Sequence, residues 1–264
     1  MSGPVEQVDV PTEPTGAVPT APEVEIIESH SARVGRLPVR RALPRRARRS
    51  VGAWCFADHM GPLAVSPGEG ADVGPHPHIG LQTVTWLLAG ELLHRDSLGS
   101  EQPIRPGALN LMTAGNGVSH AEESTSGYRG DVHGIQLWVA QPEATRHGDP
   151  AFEHHAELPR FALGNGEATV LVGEVDGVAS SARRDSDHVG VDLALGRGTA
   201  VVPLDPTFEV ALVVAEGEVV VDGTPVVPGR LAYLGQGRDE LAVTADGPAR
   251  ALLLGGVPLT EPLL

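Results

Sequence analysis

The sequence has no lysine and one cysteine, Cys55. A single thiol excludes an intramolecular disulfide and any multi-cysteine metal site, so histidine and carboxylate are the ligand types left. Aromatic residues make up only 3% of the chain, and no apolar run approaches the roughly eighteen residues of a membrane helix. No membrane role is expected. The opening MSGPVEQVDVPTEP shows neither a basic n-region nor an apolar h-region, and the expected location is the cytoplasm. GxxxxGK, GxSxG, HExxH and GxGxxG patterns are all missing, which removes nucleotide chemistry and the common hydrolase sites.

Positive charge is scarce as well, at 19 basic against 34 acidic residues. Eight of the arginines lie between Arg33 and Arg49 with no acid among them. Setting those eight aside takes the net charge from −15 to −23 on the remainder, a balance that disfavours nucleic acid as a partner. The stretch RRALPRRARRS reads as strand and loop pairing with acidic neighbours rather than as a nucleic-acid arm.

What the chain does have is 264 residues at 41% apolar, enough to bury a real core. Residues 1–22, rich in Pro, Thr, Val and Glu without periodicity, are expected to form a disordered tail. From Val24 on, short runs of Val, Leu, Ile and Thr are cut every eight to twelve residues by Gly or Pro, an all-β signature. Two stretches resemble each other. TVTWLLAGELLH (83–94) and EVALVVAEGEVVVDG (209–223) are expected as hairpins turning on Gly90-Glu91 and Gly217-Glu218. Each is followed by a Pro-Gly turn and then by a Gly-x-Gly, at Gly115/Gly117 and Gly235/Gly237. The repetition predicts two β-barrels of up-and-down or jelly-roll type. The expected division is 23–150 for the first, 151–188 as connector and 189–264 for the second.

PHPHIG, residues 75–80, carries the chemistry. Proline holds its own φ and biases the residue before it to extended backbone, so His76 and His78 sit at i and i+2 of a strand and share a face. HAEES repeats the spacing with His120 and Glu122. Both pairs flank the same repeated unit, and its end strands are expected to be barrel neighbours. His76, His78, His120 and Glu122 are then predicted to converge as a three-histidine, one-carboxylate metal site. Such a set leaves coordination positions open and favours a redox-capable metal over closed structural zinc. Registering the second copy on its turns puts Pro203 and Asp205 at the positions of His76 and His78, and Glu240 and Ala242 at those of His120 and Glu122. The second barrel is therefore expected to hold no metal. His59, His94, His133, His154 and His155 fall outside the pattern and read as surface or hydrogen-bonded supporting groups, with His94 the best candidate for supporting the site. Phe56, Met60, Trp86, Met112 and Trp138 read as core or as lining of a pocket mouth.

The segments FADHMGP, PHPHIGLQTVTWLLAGELLHRDSLGS, IRPGALNLMTAGNGVSHAEES and GIQLWVAQP resemble the pirin family of two-barrel cupin proteins, from about Arg33 to the end of the chain. The resemblance implies two cupin barrels in tandem, RmlC-like, with one metal in the N-terminal barrel held at His76, His78, His120 and Glu122. The implied metal is Fe2+, with Ni, Mn, Cu or Co as alternatives. The implied activity is that of a quercetin 2,3-dioxygenase, which opens a flavonol with O2 and releases carbon monoxide, with Glu122 as the base that takes the hydroxyl proton. The alternative it implies is a redox-sensing regulator that binds a transcription factor or a metabolic enzyme, with the acidic body and Arg40, Arg41, Arg45 and Arg46 as contact surface. A metal-dependent isomerase or decarboxylase on the same barrel is a third reading.

Overall fold

Period-two alternation of apolar and polar residues, punctuated by glycine and proline, gives strands throughout the described residues. The computed structural model describes residues 23–66, 70–125 and 127–260, and no helix occurs among the described residues. The tail expected at 1–22 lies outside them.

The strands form two barrels, each a seven-stranded sheet facing a four-stranded one. In the first, the large sheet runs in the order Ala151–His155, Leu109–Thr113, Leu81–Ala89, Gly130–Ala140, Trp54–Val65, Leu37–Leu43, His30–Val34. Its small sheet runs Val73–His78, Val118–Ser124, Leu92–Asp96, Glu101–Ile104. The second barrel repeats the plan. Arg230–Gly235, Glu209–Glu216, Ala249–Gly256 and His188–Leu195 form the centre of its large sheet, and Gly198–Pro203, Glu240–Ala245, Val219–Val221 and Thr224–Val226 form the small one.

The duplicated units are present, but their Gly-Glu steps are not hairpin turns. Leu81–Ala89 pairs with Gly130–Ala140 and Leu109–Thr113, while Leu92–Asp96, just past the glycine, pairs with Val118–Ser124 in the other sheet. The glycine is a corner where the chain changes sheets. Gly90 and Gly217 both hold positive φ, at 94° and 68°, and a Cβ on either would stand 2.6 Å and 2.5 Å from the carbonyl oxygens of Asp131 and Pro248. Only glycine fits such a corner.

The two large sheets pack face to face. Val84, Trp86, Leu109, Leu111, Ile135 and Leu137 from the first barrel meet Leu171, Ala211, Val213, Leu231, Leu252 and Leu254 from the second in one apolar layer. Trp54 pins the layer. It is fully buried, and its indole N–H is shared between the carbonyl oxygens of Val189 and Gly255 at 3.0 and 3.2 Å. The ring comes so close to the second barrel that a Cβ on Gly190 would lie 2.9 Å from it.

Two sets of long-range pairings were not legible in the repeat. Glu25–Glu28, which precedes the first barrel in sequence, completes the second barrel's large sheet beside Arg230–Gly235. The stretch 151–188, expected as a connector, supplies Ala151–His155 to the first barrel's sheet and Arg160–Leu163 and Gly166–Val172 to the second's. Each barrel thus gains an edge strand from sequence outside its repeated unit. The arginine stretch is built into the same architecture. Arg41 makes a two-pronged bond to Asp58 at 2.8 and 2.7 Å, Arg40 reaches the Gly61 carbonyl at 2.7 Å, and Arg48 pairs with Glu25 while covering the Tyr233 ring.

Candidate metal centre

The small sheet of the first barrel positions the predicted ligands. Val73–His78 and Val118–Ser124 run antiparallel with His76 opposite His120 and His78 opposite Val118. On its other side Val118–Ser124 pairs with Leu92–Asp96, which puts Asp96 opposite His120 and His94 opposite Glu122. Alternation then aims His76, His78 and His120 into the barrel. The Nε2 atom of His120 lies 3.1 Å from that of His76 and 3.1 Å from that of His78. Two nitrogens bound to one ion at about 2.1 Å and at right angles stand about 3.0 Å apart, so the cluster has the dimensions of a coordination site.

Electrostatics agree with that use. Burial, with the positive field of neighbouring imidazoles, pushes His78 down to about 4 and His120 down to about 3, so both are neutral at ordinary pH. His76 donates its Nδ1 proton to the Gly74 carbonyl at 2.9 Å, which leaves a bare Nε2 lone pair facing His120. Convergent lone pairs of this kind are stabilised by a cation between them, and neutral imidazoles suit Zn, Cu, Fe and Ni. The residues fit a metal.

Glu122 sits differently from the expectation of one four-ligand set. The atoms that group within 4.8 Å are His76, His78 and His120 in one cluster, and His94, His120 and Glu122 in another. His120 belongs to both, and the carboxylate stands beside the three-nitrogen cluster. The strand shifts register between His120 and Glu122, so Glu122 faces Val73 rather than the residue the regular ladder would give it. Glu122 accepts a hydrogen bond from the Thr85 hydroxyl at 2.9 Å, and burial raises its pKa above the usual carboxylate range.

The cluster opens on a cavity of about 50 Å³. Val34, Leu37, Val39, Phe56, Met60 and Trp138, all from the first barrel's large sheet, line it. Phe56 stacks on Trp138 with centroids 4.0 Å apart, and the Trp138 ring meets His78 edge-on at 5.0 Å. Phe56, Met60 and Trp138 are therefore pocket residues, whereas Trp86 belongs to the layer between the barrels and Met112 to a small cluster with Ala114 and Val118. Gln136, also on the cavity, stands 3.0 Å from the Thr85 hydroxyl. Thr85 and Gln136 were missed in the sequence, although their polar side chains at alternate positions of TVTW and GIQLW were the available signal.

Among the other histidines, His59 and His133 are neither surface nor site groups. They are buried at the junction of the barrels, with Nε2 atoms 2.7 Å apart, and His133 continues to Glu216 of the second barrel at 3.0 Å. Burial, reinforced by Arg40 and His133, pushes His59 down to about 3. His154 bonds Asn110 and His155 bonds Glu153 on the edge strand. Cys55 lies 3.6 Å from the Trp138 carbonyl, and burial pushes its thiol up to about 11, which removes thiolate reactivity.

In the second barrel, Pro203 and Glu240 are cross-strand partners just as His76 and His120 are, so the register of the repeat holds. The inward face is offset by one residue. Pro203 and Glu240 are exposed, while Val202 and Leu241 are buried at 0% and 1% and join a continuous apolar interior. Turning Glu240 inward would bury a carboxylate at the cost of two apolar side chains, so the interior is filled with hydrocarbon.

Two family models match the chain, Pirin over residues 36–139 and the Pirin C-terminal cupin domain over 190–264. The chain belongs to the pirin family. Its two barrels are the tandem cupin domains of that family. A Pseudomonas aeruginosa pirin relative, provisionally named a quercetin 2,3-dioxygenase, is 50% identical over 225 residues, covering 85% of this chain and 71% of the relative. A pirin-like protein of Caulobacter vibrioides is 40% identical over 242 residues, covering 89% and 83%. The crystal structure of quercetin 2,3-dioxygenase from Acinetobacter baumannii superposes with a TM-score of 0.88 at 42% identity, covering 91% of this chain and 81% of that one. The Escherichia coli pirin YhhW, solved with nickel(II), shares the fold at 20% identity and a TM-score of 0.72, covering 90% and 100%. No helix among the described residues is long and apolar enough to cross a membrane.

Proposed function

We propose that this pirin is a metal-dependent dioxygenase acting on flavonols such as quercetin. The observation that carries the reading is the convergence of three imidazoles, with His120 Nε2 at 3.1 Å from that of His76 and from that of His78, beside an enclosed carboxylate in one cavity. His76, His78 and His120 would hold the metal, with Glu122 as the adjoining fourth ligand or base. Fe2+ is the expected ion, and Ni, Mn, Cu and Co suit a similar donor set. A metal so held supplies Lewis acidity toward an enolic hydroxyl and a redox-capable centre for O2.

The protein's own groups would do the rest. Glu122, whose pKa burial raises, is placed to take the flavonol hydroxyl proton, and Thr85 fixes the direction of its carboxyl. Phe56, Trp138, Leu37 and Val39 exclude water and present flat apolar surface to an aromatic ring. The names of the Pseudomonas and Acinetobacter relatives support the same substrate class. The test is carbon monoxide release from quercetin by protein loaded in turn with each metal. Release with none of the five would overturn the substrate assignment.

One observation favours a second reading. At about 50 Å³ the cavity falls well below the roughly 300 Å³ at which pockets for drug-sized ligands begin. It suits a diatomic molecule with a water or two, the occupant of a redox sensor. Under that reading a protein surface does the work. Arg40 and Arg41 are already committed to Gly61 and Asp58, so Arg45 and Arg46 remain of the four arginines for a partner. Loss of a partner from Arg45→Ala/Arg46→Ala protein with unchanged metal content would support it.

A further inference from the structure

Behind the three-histidine cluster, on the far side of His120, a buried chain of polar groups runs out to the surface loop after Asp96. His120 Nδ1 lies 3.3 Å from His94 Nδ1, and His94 Nε2 lies 3.1 Å from Asp96 Oδ2. His94 and the Asp96 carboxylate are 3% and 0% exposed. The His94 ring is held by stacking on Phe152, with centroids 4.3 Å apart and planes 18° from parallel. Asp96 is clamped from its other oxygen, since Oδ1 accepts the N–H groups of Leu98 and Ser100 at 2.9 Å each.

Proton counting fixes this chain. A carboxylate only accepts, so the proton between Asp96 and His94 sits on His94 Nε2. With that as its one proton, His94 offers a bare Nδ1, and the proton in the next bond belongs to His120 Nδ1. His120 is left with an unprotonated Nε2, the atom that faces His76 and His78. We infer that Asp96 and His94 are positioning residues that lock His120 in the Nδ1–H tautomer, aim its Nε2 lone pair into the cluster and strengthen it as a ligand.

The lock also chooses between two places for a cation. His94, His120 and Glu122 group within 4.8 Å just as His76, His78 and His120 do, and an ion shared by His94 and His120 would take the two Nδ1 atoms that face each other at 3.3 Å. With Nδ1 protonated, only the Nε2 side is open. The tautomer is a property of the metal-free protein, and its consequence for affinity rests on the metal reading given above.

Asp96→Asn reverses the chain without changing its shape. The amide oxygen keeps the loop N–H groups, and the amide nitrogen then donates to His94 Nε2. His94 holds its proton on Nδ1, and His120 is forced to carry its own on Nε2, where it blocks coordination. The experiment is nitrogen-15 spectroscopy of histidine-labelled, metal-free protein near pH 7.5, together with nickel(II) affinity by chelator competition. The wild type is expected to show His120 protonated on Nδ1 and bare on Nε2. Asp96→Asn is expected to show both rings inverted and affinity lower by about 10- to 100-fold. His94→Phe, which keeps the ring stack, is expected to lose the exclusive Nδ1–H form and to weaken nickel in the same direction. A proton on His120 Nε2 or on both His94 nitrogens in the wild type overturns the lock, as does an Asp96→Asn protein with unchanged tautomers. If wild-type protein takes up no nickel, the metal reading fails, and the spectra still decide the tautomer.

Discussion

His76 and His120 face each other across two antiparallel strands, with their Nε2 atoms 3.1 Å apart. Backbone pairing sets that spacing, so the three-nitrogen cluster is preorganised and does not depend on an ion to gather it. Replacing His120 with Ala is expected to abolish stoichiometric metal binding while the barrels stay folded, because the lost ring is central to both spacings. Metal analysis after desalting, alongside circular dichroism, checks this. Retention of about one metal per chain would show that the ion sits elsewhere.

Glu122→Gln separates ligand from base. The amide retains the Thr85 contact and the shape, and the three imidazoles remain. Some metal should stay bound, while quercetin turnover falls by at least about 100-fold, the usual contribution of a general base. Full turnover in this variant would remove Glu122 from the chemistry.

Leu37→Ala tests whether the cavity wall limits the substrate. Leu37 is 5% exposed and lines the cavity together with Trp138, so truncation opens space beside the cluster at a cost of about 2–5 kcal/mol in stability. The expected outcome is a lower KM for quercetin with unchanged metal content. A raised KM would mean that Leu37 contacts the ring rather than obstructing it.

Acid should destabilise the metal-free protein before ordinary carboxylates titrate. His59 and His120 are held at about 3, and His78 and His188 at about 4, chiefly by burial. In the unfolded chain each takes a proton near pH 6.5. Between that pH and the folded values the unfolded state binds more protons, so stability falls as pH falls. Urea midpoints measured at pH 7.5, 6 and 5 should decline steadily. Equal midpoints would show that these histidines are not buried neutral.

The sequence made the site more legible than its surroundings, for a physical reason. The i, i+2 spacings in PHPH and HAE encode which side chains share a strand face, and a strand has only two faces. Which strand pairs with which is a property of the whole sheet. Gly90 therefore read as a hairpin turn although it is a corner between sheets, and nothing local in Glu25–Glu28 announces a place in the second barrel. The offset between Pro203 and Val202 has the same origin, since turn spacing fixes register along a strand and burial selects the face. His59 and His133 read only as surface or hydrogen-bonded supporting groups, because a partner such as Glu216, which lies far along the chain, leaves no local pattern.

Oxygen uptake with quercetin, by protein whose bound metal has been quantified and with the His78→Ala variant beside it, tests the central claim most directly. Uptake that rises in proportion to bound metal and disappears in the variant is the predicted result. About one metal per chain with no oxygen consumed would contradict the dioxygenase reading and leave the sensor reading in its place.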